Sequence, residues 1–167
     1  MSTKTIKTIW PIALLDVLAF VLIYYLPALS HLTPIPFYLI EPLRLMVLTS
    51  LVIMQNKHNA LLLAITLPLF SYFITAHPLF AKSVLISIEL VLNVVVYSIL
   101  CKRIKTPFIV LLLSILTSKV FYYLLKFLFI HCGFLSTNLV STSLLIQGIV
   151  ALITALLLSC IQNKKLQ

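Results

Sequence analysis

Four of the polar side chains in the apolar stretch at residues 81–100 form a regular series; the stretch reads A-K-S-V-L-I-S-I-E-L-V-L-N-V-V-V-Y-S-I-L. Lys82, Glu89, Asn93 and Tyr97 follow one another at intervals of seven, four and four residues, so they share one face of an α-helix. Glu89 and Asn93 could accept hydrogen bonds from, and donate them to, the polar edge of a ring-shaped ligand. The stripe predicts a polar wall inside a membrane protein.

The three acidic residues of the chain, Asp16, Glu41 and Glu89, all lie in segments that we predict to cross the bilayer. A charge at the bilayer centre costs about 2.5–3.5 kcal/mol on insertion scales, so it normally faces a partner or a polar cavity. Arg44 and Lys119 also lie within predicted spans. These charges could simply pair with each other, as Glu41 and Arg44 can do three residues apart. For the set as a whole we favour a polar cavity that binds a ligand.

Basic groups slightly outnumber acidic ones in these spans, which favours an anionic or zwitterionic organic ligand. The basic groups could hold its carboxylate or phosphate, and tyrosine rings could supply a stacking surface. Lys126, close to a predicted span end, is expected to extend its ammonium group to an interface. The predicted substrate-binding residues are Glu89, Asn93, Lys119, Arg44, His77, Tyr122 and Lys82.

No set of residues predicts catalysis, a cofactor or a metal site. The serines lie on several predicted helices and no histidine is near mid-membrane, so a nucleophile–base pair is missing. The cysteines Cys101, Cys132 and Cys160 have no metal-type spacing, and the chain has no glycine-rich phosphate loop or nucleotide motif. We therefore predict that the protein is not an enzyme.

The composition predicts an all-α integral membrane protein. The chain is 62% hydrophobic and 9% charged, with a mean hydropathy of +1.20, whereas soluble domains are about 25% charged. Continuous apolar runs, instead of alternating polarity, argue against a β-barrel. We expect one membrane domain, residues 1–167, forming a compact bundle of six transmembrane helices at about 9–26, 37–54, 60–75, 81–100, 107–130 and 143–161.

The basic residues predict the orientation. Their positions in short links favour a topology signal over a nucleic-acid surface, despite the net charge of +9. If the first span begins in the cytoplasm, both termini are cytoplasmic and eight of the twelve basic residues lie inside: Lys4, Lys7, Lys57, Lys102, Arg103, Lys105, Lys164 and Lys165. The first run could instead be a signal peptide, but Asp16 in its middle argues against removal.

The passage from the third predicted helix to the fourth resembles a known family. It reads L-P-L-F-S-Y-F-I-T-A-H-P and leads to a helix containing I-E-L-x-x-N. It is similar to the S components of energy-coupling factor (ECF) transporters, where a proline-bearing third helix leads to a Gly-His-Pro-like corner and the next helix carries a glutamate. Here the proline is Pro68, the corner is Ala76-His77-Pro78 and the glutamate is Glu89. Chain length, six spans and inside termini agree with the family over nearly the whole chain.

The resemblance implies a substrate-capture subunit in a prokaryotic inner or plasma membrane. Such a subunit binds a vitamin-like small molecule from outside and works with a transmembrane coupling subunit and two cytoplasmic ATPase subunits. We expect an outward pocket closed by residues 27–36 and 76–81. A structural scaffold of the rod-shape or wall-elongation type is the main alternative, and a small intramembrane enzyme or channel-like carrier is a third. Members of one fold bind different ligands, so the sequence does not name the substrate.

Overall fold

The computed structural model describes residues 3–32, 37–75, 79–140 and 143–166, and all regular structure in these ranges is helical. The all-α class is thereby confirmed. A 3-10 helix at Phe37–Ile40 precedes the second α-helix. The α-helices are α1 (Thr3–Leu32), α2 (Pro42–Val52), α3 (Lys57–Thr75), α4 (Phe80–Leu100), α5 (Pro107–His131) and α6 (Leu144–Leu166).

Four of these helices are long and apolar enough to cross a membrane. They are α3 over Lys57–Ile74, α4, α5, and α6 over Leu144–Lys164. Two shorter apolar segments, Trp10–Tyr25 in α1 and the whole of α2, accompany them. The described part of the chain therefore has the helices of a multi-pass membrane protein.

The first helix is longer than the sequence predicts. The pattern predicts a proline-rich loop from residue 27 to residue 36, but α1 continues through Pro27 to Leu32. A proline inside a helix removes one backbone hydrogen bond. In apolar surroundings every further unpaired backbone group is costly, which favours keeping the remaining helical bonds. Residues 33–36, which belong to the predicted loop, lie outside the described residues.

The segment predicted as the second span, 37–54, is interrupted at Glu41. Its backbone is left-handed, with φ 51° and ψ 56°, and Pro42 is the first residue of α2. A residue before proline is sterically disfavoured from the right-handed helical region, whereas proline itself suits the first helical turn. The break places the Glu41 carboxylate at the N-terminus of α2, where the helix dipole favours negative charge.

Helix α4 lies in the middle of the bundle, with α3 and α5 packed along it. Next to these, α2 and α1 contact α3, and α6 contacts α5. The shared core is aliphatic and includes Leu48, Leu63, Leu90, Leu111 and Ala155. This order brings α2, α4, α5 and α6 close enough to share one polar site.

The polar stripe predicted on α4 faces the interior. Glu89, Asn93 and Tyr97 are all buried, as are Ser83 and Ser87. Aliphatic residues cover the opposite face, where Ile88, Val95 and Ile99 are exposed. In a bilayer this arrangement would place the apolar face of α4 towards lipid and the polar face towards the neighbouring helices.

Candidate functional site

A buried arginine joins two carboxylates from different parts of the chain. The Nη1 atom of Arg44 on α2 lies 2.5 Å from Glu41 Oε2, and its Nη2 atom donates to Oε1 of Glu89 on α4. Arg44 is only 5% exposed and Glu89 6%. A planar guanidinium can face two carboxylates at once, which a lysine ammonium group does less well.

Lys119 brings α5 into the same cluster. Its ammonium group donates to Glu41 Oε1, and Nζ lies 3.9 Å from Glu89 Oε1 and 3.1 Å from Gln147 Oε1. Gln147 on α6 also hydrogen-bonds Tyr123 on α5, with 2.6 Å from its Nε2 atom to the tyrosine hydroxyl. We refer to Glu41, Arg44, Glu89 and Lys119 as the charge cluster.

The charge cluster is balanced, with two carboxylates against an arginine and a lysine. The expected excess of basic groups is therefore not found within it. A charged ligand that entered would have to exchange with an existing ion pair. A neutral or zwitterionic ligand could enter without changing the net charge, so the geometry favours those two classes over a simple anion.

Asn93 lies next to the charge cluster but takes no part in its contacts. It lies one turn beyond Glu89 on the same face of α4, and it is fully buried. Within the described part of the chain, neither its Oδ1 nor its Nδ2 atom has a hydrogen-bond partner. Leaving a buried polar group unpaired costs about 1–3 kcal/mol, and native structures contain few such groups. The Nε atom of Arg44 is also buried without a partner there.

The remaining predicted site residues have different positions. Tyr122 is half-buried on α5 and lies three residues after Lys119, on the same side of that helix. Lys82 is half-buried in the first turn of α4, seven residues or about 10 Å along the helix from Glu89. His77, with the rest of the corner at 76–78, lies outside the described residues. The structure thus brings together Glu89, Arg44 and Lys119, with Asn93 and Tyr122 beside them.

Sequence reasoning missed part of this site. It singled out Glu41 as a partner of Arg44 but not as a member of the binding set, and it did not assign Gln147 or Tyr123. A glutamine in the apolar run of α6 could have indicated a buried polar contact, as Glu89 does on α4. Buried amides, like buried carboxylates, need hydrogen-bond partners. Local spacing could not reveal that α5 and α6 bring Tyr123 and Gln147 together.

Asp16 does not join the charge cluster. Its Oδ1 atom accepts a hydrogen bond from Asn59 Nδ2 at 2.9 Å, and the same amide nitrogen lies 3.1 Å from the hydroxyl oxygen of Ser50. These three residues belong to α1, α3 and α2 respectively. The acidic group of α1 is therefore used in a contact that holds three helices together.

Lys126 is buried beneath the link between α5 and α6, at one end of the bundle. The residue is 1% exposed, and its ammonium group donates to the backbone carbonyl of Leu139 at 2.8 Å. Leu139 lies in the α5–α6 link, where Leu135 is also buried. The link therefore covers this lysine.

The remaining groups to consider are the serines of α5, the cysteines and the possible metal ligands. Ser114 and Ser118 on α5 donate to carbonyls of their own helix, at 2.8 and 2.9 Å. The three cysteines are free and exposed. Among the described residues, no group of three or more histidine, cysteine, aspartate or glutamate side chains could hold a metal ion. The charge cluster and Asn93 are therefore the candidate functional site in the described part of the chain.

Comparisons of the chain with models of protein families, with curated proteins and with solved structures find no match. The function is therefore argued from the geometry of the charge cluster and Asn93, together with the helix motif described above.

Proposed function

We propose that this protein is the substrate-capture subunit of an ECF-type importer for a vitamin-like small molecule. The observation that supports the proposal most strongly is the fully buried Asn93 amide, unpartnered in the described structure, one turn from the charge cluster. A purely structural network gains nothing from such a group. A ligand with an adjacent donor and acceptor would satisfy both of its polar atoms.

The proposed topology has six spans with both termini in the cytoplasm, in a prokaryotic inner or plasma membrane. The 3-10 helix rises about 8 Å and α2 about 16 Å, and the proposed second span of this topology is made of these two pieces. On this topology α2 begins towards the outer side, and the charge cluster at its N-terminus is approached from outside. The proposal fits the exposed basic residues Lys102, Arg103 and Lys105 between α4 and α5, which would be cytoplasmic.

A zwitterionic or neutral ligand would use the site as follows. Its acidic or acceptor group would take hydrogen bonds from Arg44 or Lys119, and its donor group would bind Glu41 or Glu89. A neighbouring amide-like edge would pair with Asn93. Release would restore the ion pairs now present, so the cluster would stay balanced in both states. We assign no chemical step to the chain, and ATP hydrolysis would belong to partner subunits because the chain has no nucleotide motif.

Mass spectrometry of small molecules released from the purified protein tests this function. The protein should be extracted from its host grown in rich medium, with Glu89→Gln as the paired variant. This variant keeps the side-chain size and a hydrogen-bonding group while it removes the charge. We expect one metabolite from the wild type and little or none from Glu89→Gln. Equal release from both, or none from wild-type protein incubated with a metabolite extract, would contradict binding at this cluster.

A structural scaffold in the membrane is the second candidate, and one observation favours it. The four charges of the cluster form ion pairs with each other, as expected of residues that only hold helices together. This function predicts stable co-purification with other membrane proteins and no small ligand. The importer predicts co-purification with a coupling subunit and two ATPases. Identifying the proteins that co-purify after mild detergent extraction separates the two.

A further inference from the structure

Two lysines lie at the same end of the α4–α5 pair, away from the charge cluster. Lys82 is the third residue of α4, and Lys126 is the sixth residue from the end of α5. The two helices pack against each other and run in opposite directions, so these positions are at one end of the bundle. Lys82 lies 19 residues before the link at 101–106 and Lys126 lies 20 residues after it, so the two lysines are at similar heights on neighbouring helices. We refer to this pair as the lysine pair.

Lys126 is the member whose position most needs an explanation. An ammonium group has three donors, and within the described ranges one acceptor is found for Lys126, the Leu139 carbonyl. The residue is almost completely shielded, at 1% exposed. A buried cation is strongly unfavourable unless an opposite charge accompanies it, and here the nearby charge of Lys82 has the same sign.

The chain itself has no carboxylate side chain left to neutralise the pair. It contains only three acidic residues. Glu41 and Glu89 are bound by Arg44 and Lys119, and Asp16 is bound by Asn59. This count covers the whole sequence and therefore includes the residues outside the described ranges. No carboxylate side chain of this sequence is therefore free to act as counter-ion to a charged Lys126.

We propose that Lys82 and Lys126 form an anion-binding site that takes a phosphate or carboxylate group from outside the chain. The remaining donors of Lys126 and the half-buried ammonium group of Lys82 supply the contacts. The site is separate from the charge cluster, and it does not depend on the proposed function. Its anion is either a free solute or the headgroup of an acidic lipid, since both present the same oxygen acceptors.

Thermal unfolding of the full-length protein in detergent tests the site, with inorganic phosphate as the first probe. At constant ionic strength, phosphate at about tenfold its Kd should raise the melting temperature of the wild type by about 3–6 °C relative to chloride. Lys126→Met should remove this shift, and Lys102→Met, which changes an exposed lysine at the other end of α4, should keep it. Lys82→Met gives the same comparison at a half-buried position if Lys126→Met fails to fold.

A second arm replaces phosphate with phosphatidylglycerol in micelles, with phosphatidylcholine as the neutral reference. A shift with phosphatidylglycerol alone that both lysine variants lose supports the site and identifies a lipid headgroup as its anion. A shift with phosphate identifies a solute. The proposal is overturned if neither probe stabilises the wild type more than the lysine variants. Neither result bears on ligand release from Glu89→Gln, so this site and the proposed function are tested separately.

Discussion

Arg44 connects the two carboxylates of the charge cluster. It contacts the carboxylate of Glu41, at the break before α2, and that of Glu89 on α4, and it is almost fully buried. Removing it would leave Glu41 and Glu89 facing each other with only Lys119 to balance them. Substitutions at two of these residues are therefore expected to change the free energy of unfolding by an amount different from the sum of the single changes.

Arg44→Met should destabilise the fold by about 3–5 kcal/mol, because breaking a buried ion pair from one side leaves an uncompensated charge. Chemical or thermal unfolding in detergent measures the effect. The other arginine of the chain, Arg103, is exposed and gives a matched control, since Arg103→Met should have almost no effect. Equal stability of the two variants would contradict the assigned role of Arg44.

Part of the site could be predicted at the residue level, and part could not. Helical spacing alone places Glu89 and Asn93 on one face of α4, and the structure buries both. The partners of Lys119 are 78 residues away at Glu41 and 28 residues away at Gln147. Such pairs depend on how helices pack, and a local pattern carries no information about that.

At the level of elements, α1 is held by a polar contact as well as by apolar packing. Asn59 on α3 donates one hydrogen bond to Asp16 on α1 and lies within hydrogen-bond distance of Ser50 on α2. A hydrogen bond to a charged group contributes about 1.5–3 kcal/mol. The contact fixes the position of α1 relative to the pair formed by α2 and α3.

Asn59→Leu should loosen α1 without disturbing the charge cluster. The substitution keeps the side-chain size but leaves the Asp16 carboxylate without its amide donor. We expect faster amide hydrogen exchange in α1 and unchanged exchange around Glu89. Asn163→Leu, at an exposed asparagine of α6, is the control. Unchanged exchange in α1 would show that apolar packing alone holds this helix.

The start of α2 shows which features of an element the sequence can predict. Pro42 indicates a helix start or a kink, and it is indeed the first residue of α2. The left-handed backbone of Glu41 has no comparable signal, because glycine is the residue that normally adopts it. In this conformation Glu41 is ion-paired with Arg44 of α2 and with Lys119 of α5, and a local pattern does not specify the contact with α5.

For the whole molecule, composition and hydropathy predicted the all-helical membrane class, and four helices have the length and composition to cross a bilayer. The number of spans and their orientation remain predictions, because they depend on whether α1 and the short α2 also cross. Apolar length does not decide this for an 11-residue helix, which is much shorter than the roughly 20 residues of a usual span.

Cysteine labelling can decide the topology. In a background with the three native cysteines replaced by serine, Leu32→Cys at the end of α1 should react with a membrane-impermeant reagent on intact cells. His58→Cys at the start of α3 should react only after permeabilisation. Both positions are exposed. If α1 and α2 do not cross the membrane, the two positions lie on the same side and label alike, which would contradict six spans.

Asn93→Leu is the most direct test of whether the charge cluster and Asn93 form a ligand site. The melting temperature and the released small molecules should be measured on the same preparations, with Asn163→Leu as the control. Leucine is similar in size to asparagine and removes a buried amide that has no partner in the described structure. The ligand-free variant should therefore be at least as stable as the ligand-free wild type. Its free energy of unfolding is expected to exceed the wild-type value by up to about 1–3 kcal/mol. We expect this variant to fold and to lose the bound molecule. Retention of the same molecule at wild-type occupancy, or unfolding of the ligand-free variant, would contradict it.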